Sequence, residues 1–203
     1  DLLKRGMSRW LPRFWRQKVS AQQIQKMVDL AVRASKENSP AEELLRSALI
    51  AAIVSPRFIL RTEPDPARLK PGEVRTLNDF ELATRLSYFL WGTCPDEALL
   101  TLAKRGKLTE PAQLMEVTRR MLRDPRSRVL AEDFATQWLR IRDLRERAPD
   151  RKIFPGFRNV LLADMQKETV LFFDHILREN RPVQELLTAD YSFLNRSEEH
   201  TSE

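Results

Sequence analysis

The sequence predicts an all-α protein: a compact helical array or bundle of about seven helices, with a smaller N-terminal helical pair. Three observations carry this. Capped segments with apolar residues three and four apart recur along the 203 residues. Glycine is scarce, at 5 residues, which argues against a turn-rich β fold. No stretch shows the period-two alternation of a half-buried strand, so helix-on-helix packing is the solution left.

The elements follow in order. Ser20 is placed to cap a helix, with Gln23 in the capping-box position and Ile24, Met27, Val28, Ala31 and Val32 as its apolar stripe. Asn38-Ser39-Pro40 breaks the chain. A second helix then carries Leu44, Leu45, Ala48, Leu49, Ala52 and Ile53, a face broad enough to require burial. Ser55-Pro56 ends it, because the residue before proline avoids the helical region. Three prolines and a glycine make Pro64–Gly72 the best linker candidate.

The stretch Leu77–Leu100 contains the clearest signals. Asn78 and Glu81 form a second capping box, with Leu77 and Leu82 placed as a hydrophobic staple. Leu82, Leu86, Phe89 and Leu90 line one face, Gly92 stops the helix, and Pro95 fits the first position of the next. That next helix runs from Asp96 to Arg105 and closes at Gly106. Another spans about Pro111–Arg123, with Leu114, Val117, Thr118, Met121 and Leu122 inward. Asp124-Pro125 interrupts the chain. Ser127–Asp143 resumes it with Leu130, Phe134, Trp138 and Ile141 at helical spacing, so these aromatics are expected in the core. The longest helix runs from about Phe157 to Asn180, with Asn180-Arg181-Pro182 as its stop and a short turn over Val183–Leu187 after it.

Composition narrows the function classes. Hydrophobic content of 42% and charged content of 32% suit a helical domain, and no apolar run approaches the ~18 residues of a membrane span. One cysteine, Cys94, excludes an internal disulfide framework and a CxxCH haem attachment in these residues. The chain opens on Asp1, without a signal-peptide pattern, which reads as a fragment whose targeting segment lies upstream. Arg196–Glu203, RSEEHTSE, resembles a translated sequencing adapter and is set aside as an artefactual tail. Without it the 35 bases and 29 acids fall to 34 and 26, and the net charge rises from +6 to +8.

Five ordered blocks resemble a known pair of domains. They are IVSPRF (Ile53–Phe58), LSYFLWGTCPDEALL (Leu86–Leu100), RRMLRDPRSR (Arg119–Arg128), FATQWL (Phe134–Leu139) and DYSFLN (Asp190–Asn195). Together they are similar to two consecutive domains of unknown function in large planctomycete cytochrome-c-like proteins. The resemblance implies a first domain over residues 10–63, a linker over 64–75, a second domain over 76–195 and the tail over 196–203. It also implies an exported, periplasmic setting, partners that are other domains of the same polypeptide, and a c-type haem module elsewhere in it. It implies no catalytic residue. The first domain of the family usually opens on an aromatic-Arg-Arg-Pro block, where this chain has Trp15-Arg16-Gln17-Lys18.

Candidate chemistry is sparse. Asp164, Glu168 and His175 share a helix face, but a helical di-metal site needs a Glu-x-x-His motif, and Phe172 stands three residues before His175. A structural histidine is the better reading. Cys94 lies near a helix N-terminus without a base close in sequence. The arginines of 119–128 and 140–151 invite a nucleic-acid reading, yet Glu132, Asp133, Asp143, Glu146 and Asp150 interleave with them as on solvated helix faces. No recognised nucleic-acid motif is present. Arg57, after a helix-ending Ser-Pro, and Arg85, on an otherwise apolar helix, are the residues to inspect. One or both are expected to bind orphan helix carbonyls or a carboxylate such as Asp96 or Glu97, with an anion or substrate site as the alternative. No catalytic, cofactor-binding or metal residue is assigned.

The preferred reading is a structural or interaction module. The rival is part of an extracytoplasmic oxidoreductase or polysaccharide-related enzyme completed by regions outside the chain. Nucleic-acid binding through the arginines is the lesser alternative.

Overall fold

The computed structural model describes residues 2–35, 39–61, 63, 70, 72–146, 149–150, 152–155, 157 and 159–194. Most of the Pro64–Gly72 linker and the whole Arg196–Glu203 tail lie outside them. The described residues are helical, with no strand, as the sequence predicts. Ten α-helices appear among them: α1 (Leu2–Trp15), α2 (Ala21–Ala34), α3 (Ala41–Val54), α4 (Pro56–Ile59), α5 (Asp79–Trp91), α6 (Glu97–Lys104), α7 (Pro111–Arg123), α8 (Thr136–Trp138), α9 (Asn159–Arg178) and α10 (Glu185–Thr188). Contacts divide the chain into two units, one of residues 1–89 and 93–118, the other of residues 90–92 and 119–203.

In the first unit α1, α2, α3 and α4 pack on one another around Met7, Leu11, Trp15, Met27, Ala31, Ala48 and Ala52. Helix α1 is a structural addition to the sequence reading. Leu3, Met7 and Leu11 recur every fourth residue and supply its apolar face, although Pro12 lies inside it. Trp15 ends that face and donates its indole N–H to the Ala52 carbonyl at 3.2 Å. The Ser20–Gln23 capping box forms in both directions.

The broad face of α3 is less buried than expected. Ala48 and Ala52 are sealed in the core, but Leu45, Ile50, Ile53 and Val54 stay substantially exposed. Small alanines make the close helix contact, and the larger side chains on either flank project past it. Val32 of α2 is exposed in the same way.

Helix α5 begins as its sequence dictates. The Asn78 side-chain oxygen accepts the Phe80 and Glu81 amides, both at 3.0 Å, and Glu81 accepts the Asn78 amide at 2.9 Å. Pro95 does not take the first position of α6. Asp96 is the cap, accepting the Leu99 amide at 2.8 Å, and the buried Pro95 precedes it. The carboxylate satisfies the orphan amide, and the proline, which lacks an N–H, falls outside the helix.

In the second unit Gly92 has φ +63°, and a Cβ there would meet Val129 Cγ1 at 2.7 Å, so a glycine is required on two counts. Asp124 caps a 3₁₀ turn over Pro125–Ser127, accepting the Arg126 amide at 2.9 Å. The expected continuous helix over Ser127–Asp143 is instead π-helical from Leu130 to Ala135, followed by the short α8. A π turn brings residues five apart onto one face. Leu130 with Ala135, and Ala131 with Thr136, are buried on that spacing. Phe134 and Trp138, four apart, stack on each other at the surface with 6.0 Å between centroids, Phe134 also meets Phe173 of α9 at 6.3 Å, and Trp138 is 57% exposed. Their core placement is therefore corrected.

Helix α9 stops at Asn180, which has φ +50°, with the Arg181 amide donating back to the Ile176 carbonyl at 2.9 Å. The segment after α10 folds against α9. Tyr191 donates to Glu185 at 2.8 Å, and Ser192 donates to Glu168.

Candidate functional site

The candidate site is a cleft of about 780 Å³ in the first unit, a size typical of ligand pockets. Two stretches build most of it. The end of α1 and the turn after it supply Trp15, Arg16, Gln17 and Lys18, and the stretch around α4 supplies Arg57, Leu60, Arg61 and Glu63. The opposite wall is α5, from its cap at Asn78 through Glu81, Arg85 and Tyr88 to Phe89.

Arg16 organises the first wall. It is 6% exposed and sits at φ +53°, beyond the end of α1. One guanidinium nitrogen donates to the Phe14 carbonyl at 3.0 Å, and the other to the carbonyls of Arg57, Phe58 and Leu60 at 2.9–3.1 Å. A short helix such as α4 leaves most of its carbonyls unpaired, and a charged fork that gathers them satisfies that deficit. The carbonyl-binding role expected of Arg57 thus belongs to Arg16, whose side chain reaches back across more than forty residues. In the sequence, Arg16 falls in the Trp15-Arg16-Gln17-Lys18 block, where the chain departs from the aromatic-Arg-Arg-Pro pattern of the resemblance.

Arg57 instead lies over the Trp15 ring, with 5.2 Å from its guanidinium carbon to the ring centroid. Arg61 lies over Tyr88 at 4.5 Å, and Arg16 approaches the same ring at 5.7 Å. Arg85 binds Glu63 through two N–H groups, the second at 2.7 Å. Its carboxylate partner is therefore Glu63. Asp96 caps α6, and Glu97 approaches Lys104 at 3.9 Å on the surface.

The acids lining the cleft all have structural tasks. Glu63 holds Arg85. Asp79 accepts the Leu108 and Thr109 amides at 2.6 and 3.1 Å. Glu81 receives two N–H bonds from Arg75, at 2.6 and 3.0 Å, besides the Asn78 amide. Burial alone would raise the Glu81 pKa, but the Arg75 bonds and the Asn78 amide together carry it below the usual carboxylate range. Arg57, Arg61 and Lys18 have no carboxylate partner among the described residues.

The other sequence candidates lie elsewhere. His175 packs its ring on Tyr191 and Phe193, at 5.5 and 5.3 Å between centroids. Glu168, on the same helix, accepts the Ser192 hydroxyl. Among the described residues no three His, Cys, Asp or Glu side chains gather as metal ligands would. Cys94 is a partly buried free thiol. Of the arginines in the second unit, Arg126 chelates Asp124 and covers Trp91, and Arg128 pairs with Glu132 at 2.9 Å. No helix among the described residues is long and apolar enough to cross a membrane.

Comparison with known proteins places this geometry in a family. Residues 77–200 match the family described as "PSD4: Protein of unknown function (DUF1592)", which is more than half of the chain. The chain belongs to that family. No curated protein and no solved structure matches it. The matched region of this DUF1592 member begins at the α5 cap, so it includes the α5 wall of the cleft and not the wall built by α1 and α4.

Proposed function

We propose that this DUF1592 chain is a structural and interaction module of an exported multidomain bacterial protein that also carries c-type cytochrome modules. Its partners are other parts of the same polypeptide. One observation carries the reading: a roomy cleft whose carboxylates are all engaged internally, while three cations on its walls have no carboxylate partner among the described residues. General acid chemistry near neutral pH needs a carboxyl group with a raised pKa, and Glu81 is shifted the other way. Charge-assisted binding needs available donors of the kind that Arg57 and Arg61 provide. The lone Cys94 cannot supply the two thioethers of a c-type haem, so haem in this reading belongs to another part of the polypeptide.

The test is a binding experiment between this chain and the remaining domains of the intact polypeptide, prepared separately. Capture that is lost in an Arg57→Glu/Arg61→Glu variant of unchanged melting temperature supports the module. Turnover by the intact protein that is abolished by Glu81→Gln, with folding unchanged, would replace it with the enzyme reading.

A further inference from the structure

We infer that the cleft of the first unit takes an acidic peptide segment, with its carboxylates on Arg57 and Arg61 and an apolar side chain against the apolar residues of its walls. This rests on the interaction-module reading and names the chemistry of the partner. Three features of the site support it.

The first is the state of the two guanidiniums. Arg57 and Arg61 are each laid against an aromatic ring, Trp15 and Tyr88 respectively. Stacking covers a face of the guanidinium and leaves the N–H edge, the part that matches a carboxylate with two parallel bonds. The two residues flank the end of α4, whose carbonyls Arg16 holds together. The backbone that carries both arginines is therefore fixed before any ligand arrives, which lowers the ordering cost of binding.

The second is the apolar part of the walls. Leu60, Phe80, Tyr88 and Phe89 line the cleft beside the cations. A bare inorganic anion would leave that surface wet, whereas a peptide with an apolar side chain next to its acids would cover it. Recognition of acidic motifs by clustered arginines is an established mode of peptide binding.

The third is the balance of polar groups in the cleft. A glycan needs neutral hydrogen-bonding groups for its hydroxyls. The Thr84 hydroxyl donates to the Phe80 carbonyl at 2.8 Å, and the Asn78 side-chain oxygen accepts two amides of α5. Those groups serve the helix, so Gln17 and the Tyr88 hydroxyl are the neutral groups of the lining that remain beside Arg57, Arg61 and Lys18, a balance weighted toward carboxylates.

The experiment is a fluorescence-polarisation titration of the full chain at low salt. Its probes are a labelled acetyl-EELEEF-amide peptide and the neutral counterpart acetyl-QQLQQF-amide. The acidic peptide is expected to bind at least ~10-fold more tightly, to weaken as salt rises, and to lose at least ~10-fold on Arg57→Gln/Arg61→Gln. The Arg57→Lys/Arg61→Lys variant keeps the charge and loses the fork, and intermediate binding is expected. Equal affinity for the two peptides overturns the inference. So does displacement of the acidic peptide by inorganic phosphate or by polygalacturonate as readily as by unlabelled peptide. If neither peptide binds while the intact polypeptide's other domains are still captured through the cleft, the peptide chemistry falls and the module stands. If that capture fails as well, both fall.

Discussion

Arg126 and Arg61 both lay a guanidinium over an aromatic ring, in different units of the chain, and the two regions treat the charge differently. Arg126 lies 3.5 Å from the centroid of Trp91, a ring that is 2% exposed and donates its indole N–H to the Met121 carbonyl at 2.9 Å. Arg126 also donates to both oxygens of Asp124, at 2.9 and 2.7 Å. Stacking, hydrogen bonding and charge are all satisfied there by the chain itself. Arg61 has the ring, Tyr88, without a carboxylate among the described residues. The first arrangement is a structural joint. The second stacks its charge with no described acid beside it. Stacking of arginine on an aromatic ring therefore does not by itself mark either role; the neighbouring acid does.

Substitutions can break this comparison, and the largest effect belongs to the joint. Trp91→Ala should cost about 3–5 kcal/mol, the usual loss for a large buried aromatic. Trp138→Ala, at a solvent-facing ring, should cost less than about 1 kcal/mol. Thermal denaturation of the two variants compares them directly, and equal losses would contradict the outward turn of the π-helical segment.

Next to Trp91, Gly92→Ala should destabilise by about 2 kcal/mol, because it combines a positive φ with a clash against a stiff β-branched side chain. A midpoint in urea indistinguishable from that of the parent would remove the strain argument.

Arg16→Met tests the wall of the cleft. It leaves four carbonyls without their charged donor and should cost about 1.5–3 kcal/mol. Binding of the acidic peptide should weaken as well, although Arg57 and Arg61 are both still present. Unaltered peptide affinity would mean that Arg16 does not position them.

Asp124 gives a pH signature. Its hydrogen bonds from Arg126 lower its pKa from 3.8 to about 2. A carboxyl whose folded pKa is depressed contributes stability that is complete above its unfolded pKa and is lost as pH falls through the folded value. The parent should therefore lose stability between about pH 4 and pH 2 relative to Asp124→Asn, and at pH 6 the variant should be the weaker by less than about 1 kcal/mol, because Asn keeps the cap oxygen and loses only the charge that Arg126 binds. Parallel stability curves for the two proteins across that range would refute the assignment.

The smallest effect sharpens the other side of the comparison. Arg57→Gln/Arg61→Gln should change stability by less than about 0.5 kcal/mol, since both side chains are exposed and neither satisfies a described carboxylate. A large drop in melting temperature would make them structural after all.

Much of the architecture was legible without coordinates, because its signals are local. The capping boxes at Ser20 and Asn78 and the stops at Gly92 and Asn180 depend on residues within one helical turn, and they occur where the sequence puts them. The misplacement of Phe134 and Trp138 had a definite cause. A spacing of four puts the two rings on one face, which they keep by stacking at 6.0 Å, but spacing does not say which face is inward, and Leu130, Ala131, Ala135 and Thr136 take the buried one. Helix α1 was missed because Pro12 interrupts a pattern that its fourfold apolar spacing otherwise shows.

The candidate site was less legible. Arg57 stood out after a helix-ending Ser-Pro and Arg85 on an otherwise apolar helix, and both line the cleft. Arg61, Tyr88 and Lys18 carry no local signal, since an arginine near a linker and a tyrosine on a helix are ordinary surface residues. By itself, then, the sequence determined the helical class and most of the caps and stops, since each is decided by hydrogen bonds within a few residues. The tertiary structure alone decided which acid meets which base. Glu63 reaches Arg85 across 22 residues, and Arg16 reaches the α4 carbonyls across more than 40. Pairing at that range depends on how helices pack, and it is this pairing that engages the acids of the cleft and leaves Arg57 and Arg61 without one among the described residues.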